Sequence, residues 1–378
     1  ALLLIVGIVL GGRYRDRWQA AWANPVALPA MLMAALIVLG ASHTSASSVE
    51  VFDHWERYSK FLLVPLLVAV LQDDVWRRRA WASFLLAMFI VLVSTYANIW
   101  WDLPWSKTDN DGWGKDHSVF ANHIAQGLEM SFFVAVCVVR GLTRSTWPWR
   151  AFWFSAALLA AVSVTHLSQG RGSQIALLAV LLVLVVRESP ARWRWRAVSG
   201  LVVVLSLLFA TSPLLQQRFS EAITDTLAYE SENSYTSAGA RLHMWTTSIE
   251  LIKESPVVGH GTGAYHGESA RVFNDARMCA IGCFHPHNQL LFFGVDHGLV
   301  GMALFLFFLW RPWRASIQRD APVNVLLTGF MAVLLVDVFL HGPLWIHMEA
   351  YFFFTMLPLL MSSVAADASR QVPQRSST

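Results

Sequence analysis

Long apolar runs with few charges inside them recur along this chain, and that pattern leaves little room for a soluble fold. A helix needs about twenty apolar residues to cross a hydrocarbon core roughly 30 Å thick. After a first run at 1–10, ten more lie at about 25–41, 59–71, 80–100, 118–140, 151–167, 173–186, 197–210, 286–310, 323–340 and 344–361. They are continuously apolar rather than alternating, which argues for helices and against membrane strands. Composition agrees, since 55% of the 378 residues are hydrophobic and 14% are charged, where soluble chains carry about 25% charged. This balance excludes disorder, a nucleic-acid-binding tail and most soluble enzymes. The net charge of +3 implies no anionic partner, because the basic residues sit in short clusters between the runs.

The expected fold is therefore an all-α polytopic membrane protein with about eleven visible transmembrane helices. Residues 1–10 would span only about 15 Å as a helix, so the chain is expected to lack its start and the intact protein to hold about twelve. Orientation follows from Lys and Arg in alternate connections. One set, running from Arg13, Arg15 and Arg17 to Arg370 and Arg375, holds eighteen; the other holds five once the long connection is set aside. The richer set is expected in the cytoplasm. The expected organisation is 1–210 as N-terminal transmembrane helices, 211–285 as one large helical periplasmic loop, 286–361 as C-terminal transmembrane helices, and 362–378 as a cytoplasmic tail. Within the loop, Ser237 could cap a helix in which Leu242, Trp245, Ile249 and Ile252 recur at helical spacing. Pro256 and the glycines of Gly259-His260-Gly261-Thr262-Gly263 end it. Trp100, Trp101, Trp105 and Trp345 flank helix ends and read as an interfacial belt.

The glycine run lacks G-x-G-x-x-G spacing and a preceding strand, so it reads as a tight turn rather than a nucleotide loop. Cys137 lies in an apolar helix and reads as packing. Cys279 and Cys283 share the outer loop, where a local disulfide, two free thiols, or a metal site with His285 or His287 are the alternatives. Arg171 is the only basic residue of the short outer turn His166-Leu167-Ser168-Gln169-Gly170-Arg171-Gly172-Ser173. It could snorkel to headgroups or, with flanking glycines giving backbone access, hold an anion in its planar fork. Arg241 is a second outer guanidinium, either a solvated helix residue or part of a site. His287 opens the span at 286–310, as an interface residue or a general base. Asp296 and His297 lie deeper in that span and read as holding helices together. Asp337 lies about one turn inside the outer end of its span, near the other candidates.

Three outer-face elements occur in order. Gly170-Arg171-Gly172 comes first, then Arg241-Leu242-His243-Met244-Trp245 with Ser255-Pro256-Val257-Val258-Gly259-His260-Gly261. Last is His287-Asn288-Gln289-Leu290-Leu291, followed by Gly298 and Gly301. Together they resemble the O-antigen ligase and polymerase superfamily of bacterial envelopes, best over about 165–301. The chain departs from the pattern in having Asp296 and His297 before Gly298.

The resemblance implies a glycosyltransferase at the periplasmic face of the bacterial inner membrane. The donor would be O-antigen on undecaprenyl diphosphate and the acceptor lipid A–core oligosaccharide. It further implies a metal-independent, inverting reaction without a cofactor. His287 would be the general base and Arg171 and Arg241 would hold the diphosphate, with Asn288 and Asp337 in support. An O-antigen polymerase or a protein O-oligosaccharyltransferase would share this donor chemistry. A lipid-linked glycan transporter would instead show an internal repeat and charged pathways at mid-membrane; no such repeat is seen.

Overall fold

The computed structural model describes residue 12 and residues 14–227, 237–273 and 276–371; every regular element among them is helical. The first apolar run, Arg13 and Arg375 lie outside the described residues. In chain order the helices are α1 (Tyr14–Ala23), α2 (Ala27–Gly40), α3 (Ser48–Tyr58), α4 (Leu63–Leu71), α5 (Asp74–Ala97), α6 (His123–Thr143), α7 (Trp147–His166) and α8 (Arg171–Glu188). They continue as α9 (Arg194–Thr211), α10 (Pro213–Leu227), α11 (Ser237–Glu254), α12 (Tyr265–Phe273), α13 (Ala276–Gly282), α14 (Gln289–Ser316), α15 (Pro322–Leu340) and α16 (His347–Gln371).

Among the described residues, six helices are long and apolar enough to cross a membrane: α5, α6, α9 with the 3₁₀ turn before it, α14, α15 and α16. The pair α1 and α2 qualifies jointly but bends by 84°. The chain is a multi-pass membrane protein. The remaining runs resolve into helices of unequal reach. Helices α7 and α8 have 20 and 18 residues. The run at 59–71 divides into a 3₁₀ turn and the nine-residue α4, which at helical rise covers about 14 Å. At the other end, α16 continues past Ser362 to Gln371.

Helix α6 is buried around most of its circumference. Phe132, Ala135 and Val136 on one side join the main cluster with Phe330 of α15 and Phe353 of α16. Met130, Phe133 and Cys137 on another pack on Trp153, Ala157 and Ala160 of α7; Cys137 is a free, buried thiol. Helix α9 instead exposes Val202, Val203 and Leu207, an apolar face suited to lipid.

The device that sets the site is a break in α14. Asn288 caps this helix, its Oδ1 accepting from Leu290 N at 3.1 Å and Leu291 N at 3.0 Å. At Gly298 the backbone turns to φ 61° and ψ −156°, a region essentially restricted to glycine. The break releases backbone groups that the 256–263 segment takes up. His260 N donates to the Val295 carbonyl (2.9 Å) and Gly261 N to that of Asp296 (2.8 Å), while Leu299 N donates to the Pro256 carbonyl (2.8 Å). The Asp296 carboxylate accepts from Tyr265 N at 3.0 Å and Gly263 N at 3.3 Å, with His54 Nε2 3.3 Å away. Thr262 N reaches the Gly40 carbonyl at 3.1 Å. The glycine run is thus a strap across a broken helix, and Asp296 ties it to α3 and α12.

Helix α11 begins at Ser237, whose side chain lies outside the described residues. Its buried stripe is Met244, Thr247, Ser248 and Leu251, while Ile249 is exposed, so the inner face is rotated from the one that apolar spacing indicates. Small polar residues bring the helix close: Ser248 Oγ donates to the Met244 carbonyl at 2.7 Å. Trp100, Trp101 and Trp105 are exposed beyond the end of α5. Trp345 is not an interfacial residue: it is buried beneath the Arg57 guanidinium, 4.0 Å from its ring centre, because the connection after α15 folds back over α3. Cys279 and Cys283 are joined by a disulfide at the end of α13.

Two measurements check this frame. Gly298→Ala places a Cβ against the Val257 carbonyl in a conformation alanine avoids, and should destabilise the protein by at least about 1–3 kcal/mol, read as a lowered Tm in detergent. Cys279 and Cys283 should resist alkylation in the folded protein until reductant is added; immediate labelling of both would refute the bridge.

Candidate active site

Where α6 and α8 begin and α15 ends, the helices enclose a cleft of about 270 Å³ lined by three guanidiniums, Arg171, Arg218 and Arg241, with His123, Asp337 and His341. Arg171 is the first residue of α8, directly after Gly170. A Cβ at Gly170 would meet Ser173 Oγ at 2.5 Å and the His123 carbonyl oxygen at 3.1 Å, whereas at Gly172 it would meet nothing. One flanking glycine is thus required by packing, and the other leaves open space beside Arg171.

Arg171 and Arg218 share one carboxylate oxygen, Glu221 Oε2, at 2.9 and 2.8 Å. Arg218 also donates to Gln169. Glu221 is held below the usual carboxylate range, first by the hydrogen bond from Gln217 and then by that from Arg171. Arg241, one turn before Trp245 on α11, is half-buried; burial, and then the charge of Arg171, lower its proton affinity. Two like charges are therefore brought together with one carboxylate between Arg171 and Arg218. Such a concentration is costly alone and favourable to a multiply charged anion.

His287 lies in the turn between α13 and α14 at φ 50°, the one non-glycine residue with positive φ among the described residues. Two contacts hold this turn. His285 Nδ1 accepts the His287 backbone N–H at 3.2 Å, and Trp245 Nε1 of α11 donates to the Pro286 carbonyl at 3.0 Å. The helix that carries Arg241 therefore also positions His287. Burial, then the neighbouring His285, His341 and Arg241, push the proton affinity of His287 well below normal. Its ring is consequently neutral at physiological pH, the form that can accept a proton.

Behind the cleft, the His341 ring centre is 5.0 Å from that of His287. His341 Nδ1 is 3.0 Å from Glu349 Oε2 and 3.9 Å from Asp337 Oδ1, and all three residues are buried. Their ligand atoms lie within 4.8 Å of one another, close enough to converge on a metal ion. Within the cluster His341 Nδ1 contacts Glu349 Oε2, while Asp337 Oδ2 and Glu349 Oε1 are buried with no hydrogen-bond partner.

The structure thus brings together Arg171, Arg241, His287 and Asp337. Asn288 is engaged as the cap of α14, and the Cys279–Cys283 bridge lies in the preceding helix. Sequence reasoning missed Arg218, Glu221, His341 and Glu349. Arg218 and Glu221 carried one available signal, a basic and an acidic residue one turn apart just after a span. A second cavity continues from the cleft. It is an apolar groove of about 610 Å³ between α8, α9 and α10, lined by Ile175, Leu178, Val202, Leu205 and Phe209, and it too includes Arg171 and Arg218.

The family described as O-antigen ligase matches residues 156–306, which run from within α7 into α14. The chain is 25% identical to an O-antigen ligase of Escherichia coli over 42% of this chain and 39% of that protein. It is 29% identical to the exopolysaccharide production protein ExoQ of Rhizobium meliloti over 27% of this chain and 25% of that one. An uncharacterized protein of Haemophilus influenzae is 26% identical over half of each chain. The chain spans half or less of the length of these relatives. Over residues 156–306 the chain is thus similar to the O-antigen ligase family, and its relatives include one named O-antigen ligase and one named for exopolysaccharide production.

Proposed function

We propose that the protein is a glycosyltransferase that ligates O-antigen from undecaprenyl diphosphate onto a sugar hydroxyl of lipid A–core, at the periplasmic face of the bacterial inner membrane. The observation that carries this reading is the junction of the two cavities. An anion-binding cleft meets a long apolar groove at Arg171 and Arg218, which is the shape of a ligand with a charged head and a hydrocarbon tail. The tail would lie along α8 and α9, and the diphosphate would take the guanidiniums.

In this mechanism His287 removes the acceptor hydroxyl proton as the oxygen attacks the anomeric carbon. Arg171 and Arg241, joined by Arg218, stabilise the charge that grows on the departing diphosphate. Diphosphate is a good leaving group, so the reading requires neither metal nor nucleotide, and single-step attack inverts the anomeric centre. The likeness to a protein named for exopolysaccharide production favours as a second reading a polymerase, in which the acceptor is another lipid-linked glycan. Transfer to lipid A–core by the purified protein separates the two.

His287→Ala should lower turnover by roughly 10²–10⁴-fold with membrane insertion intact; near-normal ligation by well-expressed protein would remove it as the base. Both Arg171→Lys and Arg171→Ala should impair ligation, because a point charge cannot reproduce two parallel bonds to a diphosphate. Loss of one such bond costs on the order of 1.5–3 kcal/mol, or roughly 10- to 150-fold in rate, with Arg241→Lys milder. Full activity of Arg171→Lys would contradict the clamp.

A further inference from the structure

Proton removal by His287 creates a problem that the cleft itself does not solve. When the acceptor O–H breaks and the new C–O bond forms, the electron pair of the old glycosidic bond leaves with the diphosphate. The proton remains on His287. The resulting imidazolium is buried beside Arg241, His285 and His341, all of them cationic or neutral. A buried charge without a partner is costly, and such a site would hold the reaction back unless the proton moves on.

The nearest buried carboxyls are those of Asp337 and Glu349, both 2% exposed or less. Their oxygens lie within 4.8 Å of one another, and two carboxyls sharing one buried site do not both ionise, so the pair carries one negative charge. His341 stands between that charge and His287. Its Nδ1 is 3.0 Å from Glu349 Oε2, and its ring also lines the cleft. Asp337 Oδ2, Glu349 Oε1 and His287 Nδ1 are buried with no hydrogen-bond partner, so each retains capacity for a proton or a partner. The other charged groups that bear on the cluster are Glu129 of α6, opposite Glu349, Arg241 of α11 and His123 at the start of α6.

We propose that His341, oriented by Glu349, relays the acceptor proton from His287 to the Asp337–Glu349 pair. This inference rests on reading His287 as the base. In the relay, neutral His341 accepts a proton on Nε2 from the His287 imidazolium and releases its Nδ1 proton to the Glu349 carboxylate. His287 returns to its neutral form, and the carboxyl pair holds two protons where it held one. No electrons are exchanged, and the extra proton returns to water before the next cycle. Glu349 acts through His341 and is a positioning and proton-accepting residue, whereas His341 faces the cleft.

The test uses full-length protein in lipid nanodiscs with lipid-linked glycan and lipid A–core. Glu349→Gln keeps the shape and a carbonyl acceptor for His341 but cannot take the proton. It should lower kcat on the order of 10²-fold with donor KM nearly unchanged. Its rate should also climb between about pH 7 and 9, as hydroxide and buffer replace the lost acceptor, whereas the unaltered protein stays level because His287 is already neutral there. Glu349→Asp should recover part of the rate and the level profile, and His341→Gln should behave like Glu349→Gln. A melting temperature close to the parent's for Glu349→Gln secures that the fold is intact. Native kcat in Glu349→Gln beside an inactive His287→Ala would overturn the relay and leave the base in place. A loss confined to KM, with a level pH profile, would also overturn it. An active His287→Ala beside an inactive His341→Gln would make His341 itself the base and remove both assignments.

Discussion

The break in α14 at Gly298 is the constraint on which the architecture around the cleft depends. An unbroken helix would satisfy its own backbone and offer nothing to the 256–263 segment. The broken one presents the Val295 and Asp296 carbonyls and the Leu299 amide, and the segment binds them by main-chain bonds of 2.8–2.9 Å. Since main-chain bonds of this kind do not depend on side-chain identity, the strap is held in register by geometry. It fixes the end of α11 and the start of α12 relative to the membrane helices. Arg241 and Trp245 are on α11, so the guanidinium and the indole that steadies the Pro286 turn share one anchored element.

Charge balance organises the cleft itself. Three guanidiniums and two histidines line it, with His287 packed against His341, and the opposing carboxyls are divided into two groups with different surroundings. Glu221 is accessible and bridges Arg171 and Arg218; Asp337 and Glu349 are buried and face His341. The first group sits where an anion would bind, the second behind the histidines where a proton would be delivered. A neutral His287 between them can serve as a base without first losing a proton.

What the sequence made legible follows from the range of the interactions involved. Apolar runs are local, and they located the membrane helices, although not which of them fall short of crossing. Sidedness from Lys and Arg singled out Arg171, Arg241 and His287, because a residue at the head of a span is recognisable from its neighbours. Arg218 and Glu221 were not recognised, since their partners lie about fifty residues away. Glu349 sat inside a run counted as apolar, and only the fold shows its approach to His341. The same holds for Gln289, whose side chain donates to Tyr58, 231 residues earlier, and accepts from Leu344 N. The rotated inner face of α11 had a different cause. Apolar spacing marks Ile249, but the buried stripe is built from Thr247 and Ser248, small residues that permit close packing and leave no hydropathy signal.

The carboxylate shared by Arg171 and Arg218 has a consequence for which amphiphiles can occupy the junction of cleft and groove. A bilayer supplies phosphodiesters in large excess, and each phosphodiester group brings at most one net negative charge, with apolar tails that would suit the groove. Glu221 already provides one negative charge and a charge-assisted bond to each guanidinium at no cost in translational freedom. A singly charged headgroup would have to exchange like for like and pay for its own immobilisation. A diphosphate brings more charge and more acceptor oxygens than the carboxylate it displaces. On the proposed reading the internal anion would therefore work as a valence filter, favouring a scarce lipid with a doubly phosphorylated head over the singly phosphorylated lipids that surround it.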